Sequence, residues 1–363
     1  MAYTTIDKPD DYFNTKLYTG TGSSHAITGV GFAPNWVWIK HRNEANPHKI
    51  FDTVRGVGKS IKSNSDDAEA SNEENGYVSA FGSDGFTLVG GSTSSDDVNK
   101  SSGSYVAWNW KAGTAASGNT SGSGTAKTFS SSSNSTAGFS IVRYVGNGTT
   151  NHAIPHGCGT APKMIIVKTT TKSSQAWPVD CRQAINNAGG VMYLNEQGAA
   201  GNYGNDNPFT SVAPTSSVFS VGSPGNTNYN DDTYIAYCFA DVKGYSKFGS
   251  YTGNGASDDG PFIHLGFKPA FVMLKNASAS STDWYMYDNK RGGPVAGAYG
   301  NNNKYFLRAN LANAEGNESL HLFSNGFQIR IGNAFLNGSG NNLIYMAFAE
   351  NPFVTSTGIP ATA

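Results

Sequence analysis

Charged residues are scarce in this sequence. Only 14% of its 363 residues are Asp, Glu, Lys or Arg, against about 25% in an ordinary globular domain. The 25 basic and 26 acidic residues give a formal net charge of −1, so the chain lacks the basic excess that attracts nucleic acid or an acidic membrane. We therefore expect no nucleic-acid partner. Solubility is expected to come from Ser, Thr, Asn and Gly.

Cysteines and long apolar runs are also scarce. Cys158, Cys181 and Cys238 are odd in number and widely spaced, which excludes a disulfide framework and a Cys-x-x-Cys metal pair. We expect them to be small buried residues. No run approaches the ~18 consecutive apolar residues of a membrane-spanning helix, and residues 1–10 lack the basic and apolar regions of a signal peptide. We expect the protein to be made in a cytoplasm and not to be exported by the standard secretory route.

Aromatic residues and glycine, in contrast, are abundant. Aromatic side chains make up 12% of the chain, which argues against disorder throughout. The 44 glycines follow no triplet period, which excludes collagen. Short runs of Val, Ile, Phe, Tyr and Trp lie between Gly, Pro, Asn and Ser clusters, a pattern typical of β-strands.

Five sequence landmarks occur three times in one order, which indicates a triplicated unit. They are a Tyr-x-Gly-x-Gly phrase, a Pro followed six residues later by Lys, an acid–arginine pair, a Phe-centred strand and a closing aromatic run. The copies, called repeats 1, 2 and 3 below, span residues 18–110, 144–239 and 251–348.

This pattern predicts an all-β chain of three tandem β-sandwich modules of one type, jelly-roll-like or Greek-key-like. We place module 1 at residues 1–111, module 2 with a Gly/Ser-rich connection at residues 112–247, and module 3 at residues 248–363. The connection, residues 111–137, is expected to be flexible because of its Gly, Ser and Thr content. Module 1 would then be loosely tethered, while modules 2 and 3 would pack as a rigid pair.

The acid–arginine pairs are predicted to be structural, because a role that recurs in every copy is typical of a charge-assisted clamp. The pairs are Asp52/Arg55, Asp180/Arg182 and Asp288/Arg291. The sequence nominates no nucleophile elbow and no pair of carboxylates for glycoside hydrolysis. We therefore assign no catalytic residue, no metal ligand and no cofactor. Whether an acidic loop binds Ca²⁺ stays open.

Five aromatic residues are candidate binding residues: Trp36, Trp38, Tyr203, Tyr299 and Tyr305. The two tryptophans share one face of a predicted strand, because side chains alternate along a strand. For them, packing in the core or between modules competes with a stacking platform for sugars or an anchor at a protein interface. The tyrosines belong to loops rich in Asn, Ser and Gly, which suit adaptable polar recognition.

Several phrases resemble a repeat family of virion structural, tail-fibre-like proteins from marine tailed bacteriophages. They lie at residues 31–40, 52–56, 83–86 and 345–349, and the resemblance extends over nearly the whole chain. Repeat 2 departs from the pattern at Cys181, inside the acid–arginine phrase, and at Cys158. The resemblance implies a virion location and other virion proteins of the tail or capsid as partners. It supplies no catalytic residues.

Together these observations predict a non-enzymatic virion surface protein that attaches to its host through many weak polar and aromatic contacts. Its expected further partner is a host-surface glycan or protein, and it is expected to act as a homo-oligomer or in many copies. Two alternatives stay open, a capsid decoration protein (cement or knob) and a polysaccharide-degrading tail enzyme. The chain lacks the heptads of a fibre shaft, which favours a globular head over a stalk.

Overall fold

Regular structure in this protein is nearly all β, as the sequence predicted. The computed structural model describes residues 3–91, 97–185, 190–201, 207–292 and 302–360. Within these ranges the only helices are a short 3₁₀ turn at Pro9–Asp11 and two single-turn α-helices. None of the helices in the described ranges has the length and apolar character needed to cross a membrane.

Repeat 1 is built from two main antiparallel sheets. A four-stranded sheet has the order β1-β9-β3-β4, a three-stranded sheet has the order β2-β8-β7, and β5 pairs with β6. The strands are β1 (Phe13–Thr19), β2 (His25–Thr28), β3 (Trp36–His41), β4 (Lys49–Asp52), β5 (Lys59–Ser60), β6 (Ala70–Ser71), β7 (Tyr77–Gly82), β8 (Gly85–Val89) and β9 (Ser104–Trp110).

Repeat 2 has a larger main sheet, of order β10-β12-β13-β19-β15-β16-β17, and a small sheet of order β11-β14-β18. Its elements are β10 (Thr114–Asn119), β11 (Ser121–Gly122), β12 (Thr128–Asn134), β13 (Phe139–Val145), β14 (His152–Pro155), β15 (Met164–Thr169), β16 (Pro178–Asp180), α1 (Arg182–Ile185), β17 (Val191–Tyr193), β18 (Val218–Val221) and β19 (Thr233–Phe239).

Repeat 3 forms one eight-stranded sheet instead of two separate sheets, with the order β20-β27-β22-β23-β24-β25-β26-β21. The strand β24 joins the two halves because it pairs with both β23 and β25. The elements are β20 (Ser246–Thr252), β21 (Phe262–His264), β22 (Phe267–Asn276), β23 (Trp284–Asp288), β24 (Asn302–Arg308), β25 (Gly316–Phe323), β26 (Gly326–Ile329), α2 (Ala334–Asn337) and β27 (Asn342–Pro352).

One four-strand order recurs in the three repeats. It reads β1-β9-β3-β4, then β13-β19-β15-β16, then β20-β27-β22-β23. The strand that carries the repeated lysine, β3, β15 or β22, is buried along nearly its whole length. A strand buried on both faces must pack against something on each side.

The two faces of these strands lie in different cores. In repeat 1, Val37 and Ile39 pack with Phe86 and Leu88 of the smaller sheet, and repeats 2 and 3 each have an equivalent outer core. The opposite faces of all three repeats meet in one central core. There the ring centroids of Trp36 and Tyr237 are 4.6 Å apart. The main sheets therefore share a single apolar centre.

The predicted flexible connection is wrong. Residues 114–134 contain β10 and β12, which pair as an antiparallel hairpin and extend the main sheet of repeat 2 through β13. Repeat 1 is not loosely tethered either, since its four strand tryptophans lie in the central core with residues of repeats 2 and 3. Backbone hydrogen bonding to a neighbouring strand stabilises a Ser/Thr-rich strand whose composition alone favours a loop.

The Tyr-x-Gly-x-Gly phrase forms the turn that follows β1, β13 and β20. Its second glycine has a positive φ in each copy, 72° at Gly22, 69° at Gly148 and 75° at Gly255. The first glycine is needed for a different reason. A Cβ at Gly20 or Gly146 would collide with the carbonyl oxygen of Lys100 or Tyr229 respectively, so only glycine allows this approach of two backbones.

The repeated prolines lie near the start of the strands that carry the repeated lysines. Pro34 and Pro162 lie two residues before β3 and β15, while Pro269 lies inside β22 at an irregular register. All three cysteines are free and buried, which confirms their predicted role as small buried residues.

Candidate functional site

The three acid–arginine pairs are formed, and all three are buried. The shortest ion-pair distances are 2.5 Å for Arg55 Nε to Asp52 Oδ2, 2.5 Å for Arg291 Nε to Asp288 Oδ2, and 2.6 Å for Arg182 Nη2 to Asp180 Oδ2. In each pair the carboxylate also accepts the backbone N–H of its own arginine. Each pair therefore closes the turn that follows β4, β16 or β23.

Two of these carboxylates also accept a hydrogen bond from another repeat. Tyr237 donates its hydroxyl to Asp52 Oδ2 over 2.8 Å, and Trp108 donates its indole N–H to Asp288 Oδ2 over 2.9 Å. Both donors occupy the same place in their closing runs, and Met346 stands there in repeat 3. A thioether has no hydrogen to donate. Asp180 belongs to the repeat whose acid–arginine spacing is one residue shorter, with Cys181 alone between the acid and the arginine.

Each strand that carries an acid–arginine pair has a Trp or His at its start, and a ring nitrogen of that residue contacts the preceding repeat. Repeat 3 takes the place of the preceding repeat for repeat 1. Trp177 donates to Ser65 O of repeat 1, and Trp284 donates to Tyr193 O of repeat 2, both over 2.9 Å. His48 Nε2 lies 2.9 Å from Arg308 O of repeat 3. The contacts run from repeat 1 to 2, from 2 to 3, and from 3 back to 1. The three repeats form a closed ring.

The tautomer of His48 follows from its two partners. Its Nδ1 accepts the indole N–H of Trp38 over 2.8 Å, so Nε2 carries the proton donated to Arg308 O. Burial holds the pKa of His48 well below its ordinary value, which keeps the ring neutral. A second contact closes the same junction, because Arg42 binds Glu315 with two hydrogen bonds of 2.8 and 3.0 Å.

The repeated lysines are buried and donate to carbonyl oxygens at or near the junctions. Lys168 Nζ lies 2.9 Å from Asp66 O of repeat 1, and Lys275 Nζ lies 3.4 Å from Gln197 O of repeat 2. Lys40 donates to His41 O within its own repeat. Burial lowers the pKa of Lys40 to about 7 and the pKa of Lys168 and Lys275 to about 8.

Sequence reasoning missed a repeated asparagine. Asn99, Asn228 and Asn337 are fully buried, and each Oδ1 accepts a backbone N–H from the Tyr-x-Gly-x-Gly turn. The tyrosine that opens the turn donates its hydroxyl to the carbonyl just before that asparagine in all three copies. A signal existed, since each asparagine lies six residues before the start of its closing run.

Trp36 and Trp38 do not form a binding platform. Each indole is 1% exposed and lies in the central core. Trp36 packs against Tyr237 at 4.6 Å and against Trp110 at 4.3 Å between ring centroids. The binding assignment for these two residues is corrected, because contacts with the other repeats cover the face that a sugar would need.

Of the three candidate tyrosines, one lies among the residues that the structure describes. Tyr203 and Tyr299 lie outside the described residues. Tyr305, in β24, is 39% exposed. It is therefore the one predicted binding aromatic, within the described part of the chain, whose ring is open to solvent.

A groove of about 480 Å³ lies between repeat 1 and the β10–β12 hairpin. All six residues of β10 are exposed. The groove is lined by neutral residues with many hydroxyl groups and small side chains: Asn35, Thr53, Val54, Gly113, Ala115, Ala116, Ser117, Ser130, Ser131 and Ser132. We call it the serine groove. Over the described ranges, no group of three or more His, Cys, Asp and Glu side chains is placed to hold a metal ion.

Comparison with known proteins identifies one family. Residues 8–352 match the family described as a domain of unknown function, DUF7483. No curated protein and no solved structure matches the chain. The match covers all three repeats and the hairpin between the first two.

Proposed function

The chain belongs to the DUF7483 family, and we propose that it is a non-enzymatic surface protein of a bacteriophage virion that attaches to the host cell. In this proposal each repeat is a β-sandwich module, with module limits at residues 1–111, 112–247 and 248–363. The resemblance of the repeated phrases to tail-fibre-like virion proteins supports the virion location.

One observation carries the non-enzymatic part of the proposal. The polar residues that recur in all three copies are used inside the protein: the acid–arginine pairs close turns, the lysines bind carbonyl oxygens, and the asparagines hold the glycine turns. A residue buried in such contacts is not accessible to a substrate. The repetition therefore builds a rigid block instead of three copies of a reaction centre.

The serine groove is the contact surface that we propose for the host. Its hydroxyl and amide groups both donate and accept hydrogen bonds, as do the hydroxyls of a glycan. No charged side chain lines it, so binding there would depend little on salt. Single contacts of this kind are weak, on the order of millimolar, and many copies on one virion would raise avidity by roughly 10²–10⁴.

A substitution in the groove tests this proposal directly. Ala116→Arg places a long charged side chain in the groove, at an exposed position of β10. The matched control, Ala80→Arg, makes the same change at an exposed position of β7. The protein and both variants are coupled to beads in many copies and mixed with host cells, non-host cells and the purified surface polysaccharide of the host.

We expect binding of the parent protein and of Ala80→Arg to host cells and polysaccharide, with at least tenfold weaker binding by Ala116→Arg. Equal binding by both variants would remove the groove from the proposal. Absence of binding by the multimerised parent would contradict host attachment. Release of sugar ends from the polysaccharide would contradict the non-enzymatic part.

One observation favours capsid decoration as a second candidate. The repeats contact each other cyclically, so the chain presents three similar faces and suits a position on a threefold axis of a capsid. Virions lacking the protein would then lose capsid integrity at lower temperature while still adsorbing to the host. Unchanged capsid stability would exclude this alternative.

A further inference from the structure

A lysine lies inside the outer core of repeat 1. Lys49 of β4 shares a strand face with Phe51, which packs in that core, and its side chain is fully buried. Lys49 pairs across the sheet with Ile39, the residue just before the repeated lysine of repeat 1. In repeat 3 the residue just before the repeated lysine is Leu274, which pairs with Tyr285, so Tyr285 is the counterpart of Lys49. A buried aromatic ring therefore fills this place in repeat 3. The fold itself does not require an amine here.

Two carboxyl groups face the Lys49 amine. Glu73 Oε2 contacts Nζ directly and also accepts the hydroxyl of Ser60. Asp97 Oδ2 lies 3.3 Å from Nζ, and the Asp97 side chain is 1% exposed. Apart from Lys49, neither carboxyl oxygen of Asp97 has a hydrogen-bond donor among the residues that the structure describes. A buried carboxylate without donors is costly.

The pKa values of the two acids are shifted in opposite directions. Burial raises the pKa of Asp97, against the opposing effect of Lys49, which favours its protonated form. Burial also acts to raise the pKa of Glu73, but Lys49 and Ser60 outweigh that effect and lower it. The shifts favour the protonated form of Asp97 and the ionised form of Glu73, both beside one amine. The Lys49 nitrogen lies 3.3 Å from Oδ2 of the carboxyl group that it would attack.

We propose that Lys49 and Asp97 condense to form an intramolecular isopeptide bond, with Glu73 as the proton acceptor. Glu73 takes one proton from the Lys49 ammonium group, and the freed Nζ attacks Cγ of protonated Asp97. The Nζ–Cγ bond forms and the bond from Cγ to the hydroxyl oxygen breaks. That hydroxyl leaves with a second proton from Nζ as water, and the first proton passes from Glu73 to solvent.

The bond would link β4 to the segment before β9 across repeat 1. It closes the chain between residues 49 and 97, so it restricts the unfolded state in the way that a disulfide does. No oxidant is needed, which suits a chain whose cysteines are all free. The expected result is a repeat that resists heat and denaturant more strongly than its uncross-linked form.

Mass spectrometry of the purified full chain tests the proposal. The intact mass is expected to be lower than the sequence mass by one water molecule. After trypsin digestion, cleavage at Lys49 is lost and residues 43–55 are recovered joined to residues 63–100. An intact mass equal to the sequence mass, with cleavage at Lys49, overturns the proposal.

Variants separate this chemistry from a simple ion pair. Asp97→Asn is expected to lose ammonia in place of water, and Glu73→Gln to retain the uncross-linked mass. Lys49→Met keeps an unbranched apolar chain in the core and must show the full mass, a folded circular dichroism spectrum and a lower melting temperature. Lys62→Met is the matched control, since Lys62 also lies near Glu73 but is 26% exposed, and it must keep the cross-link. A water loss that persists in Lys49→Met would also contradict the assignment.

Discussion

Replacement of Asp288 by alanine tests whether the acid–arginine pairs are structural clamps. The change leaves the guanidinium of Arg291 fully buried without its principal partner. Arg291 keeps a contact of 3.2 Å with Glu315 and a hydrogen bond of 2.8 Å from Nη2 to Met286 O. The indole N–H of Trp108 and the backbone N–H groups of Lys290 and Arg291 also lose their acceptor.

The magnitude follows from the cost of a buried charge that has lost its partner. Removal of one partner of a buried pair costs about 3–5 kcal/mol, whereas removal of both partners together costs much less. We therefore expect Asp288→Ala to lower the free energy of unfolding by about 3–5 kcal/mol. The double variant Asp288→Ala/Arg291→Met is expected to recover a large part of that loss.

Urea unfolding followed by tryptophan fluorescence gives these free energies, because all six tryptophans are buried. Asp258→Ala, at an exposed loop position, is the control and should change stability by less than about 0.5 kcal/mol. A loss below about 1 kcal/mol in Asp288→Ala would refute the clamp. Unchanged stability with loss of host binding would place Asp288 in a binding site instead.

Three further predictions concern pH, backbone approach and the shared core. The pKa of buried Lys168 and Lys275 falls to about 8 on folding. The unfolded chain then binds more protons between about pH 8 and 10, and the free energy of unfolding should rise across this range. A decrease in the free energy of unfolding over this range would contradict the assignment to these lysines, and so would an equal increase in a Lys168→Met/Lys275→Met variant. Gly146→Ala should destabilise the protein by more than about 2 kcal/mol, because the added methyl group meets the Tyr229 carbonyl. Gly198→Ala, where a Cβ has open space, should have little effect in the same urea titration. A fragment of residues 1–111 should aggregate or bind a hydrophobic dye, since each indole exposed to water loses about 2–3 kcal/mol of favourable burial free energy. A soluble fragment with native tryptophan fluorescence would contradict the shared core.

The repeated phrases allowed the acid–arginine ion pairs to be predicted. They did not allow prediction of the hydrogen bonds that join these pairs to another repeat. A carboxylate three residues before an arginine indicates a clamp from spacing alone, as at Asp52 and Arg55. The donors Tyr237 and Trp108 lie 185 and 180 residues from their acceptors. Nothing local to either sequence position indicates such a partner.

The strand tryptophans show why the candidate site was only partly predictable. The alternation of Trp36, Val37 and Trp38 correctly places the indoles on one face of a strand. It does not say whether that face meets a ligand, solvent or another repeat. The buried face of the equivalent strands carries Met164 and Phe271 in the other repeats, so an apolar face was a shared property and pointed to packing.

The serine-rich hairpin is the opposite case. Residues 128–134 carry little hydrophobic signal, and composition favoured a flexible connection. Six register pairs with β10 and six with β13 nevertheless place β12 inside the main sheet of repeat 2. Backbone hydrogen bonds between distant segments provide this stability, and side-chain composition does not report them.

The most direct test of the account is whether the three repeats unfold as one unit. Cyclic junctions and a common core predict a single calorimetric transition, with a calorimetric enthalpy equal to the van't Hoff enthalpy. Three independent modules would give two or more transitions and a calorimetric enthalpy well above the van't Hoff value. That second result would contradict the closed ring of repeats and the shared core.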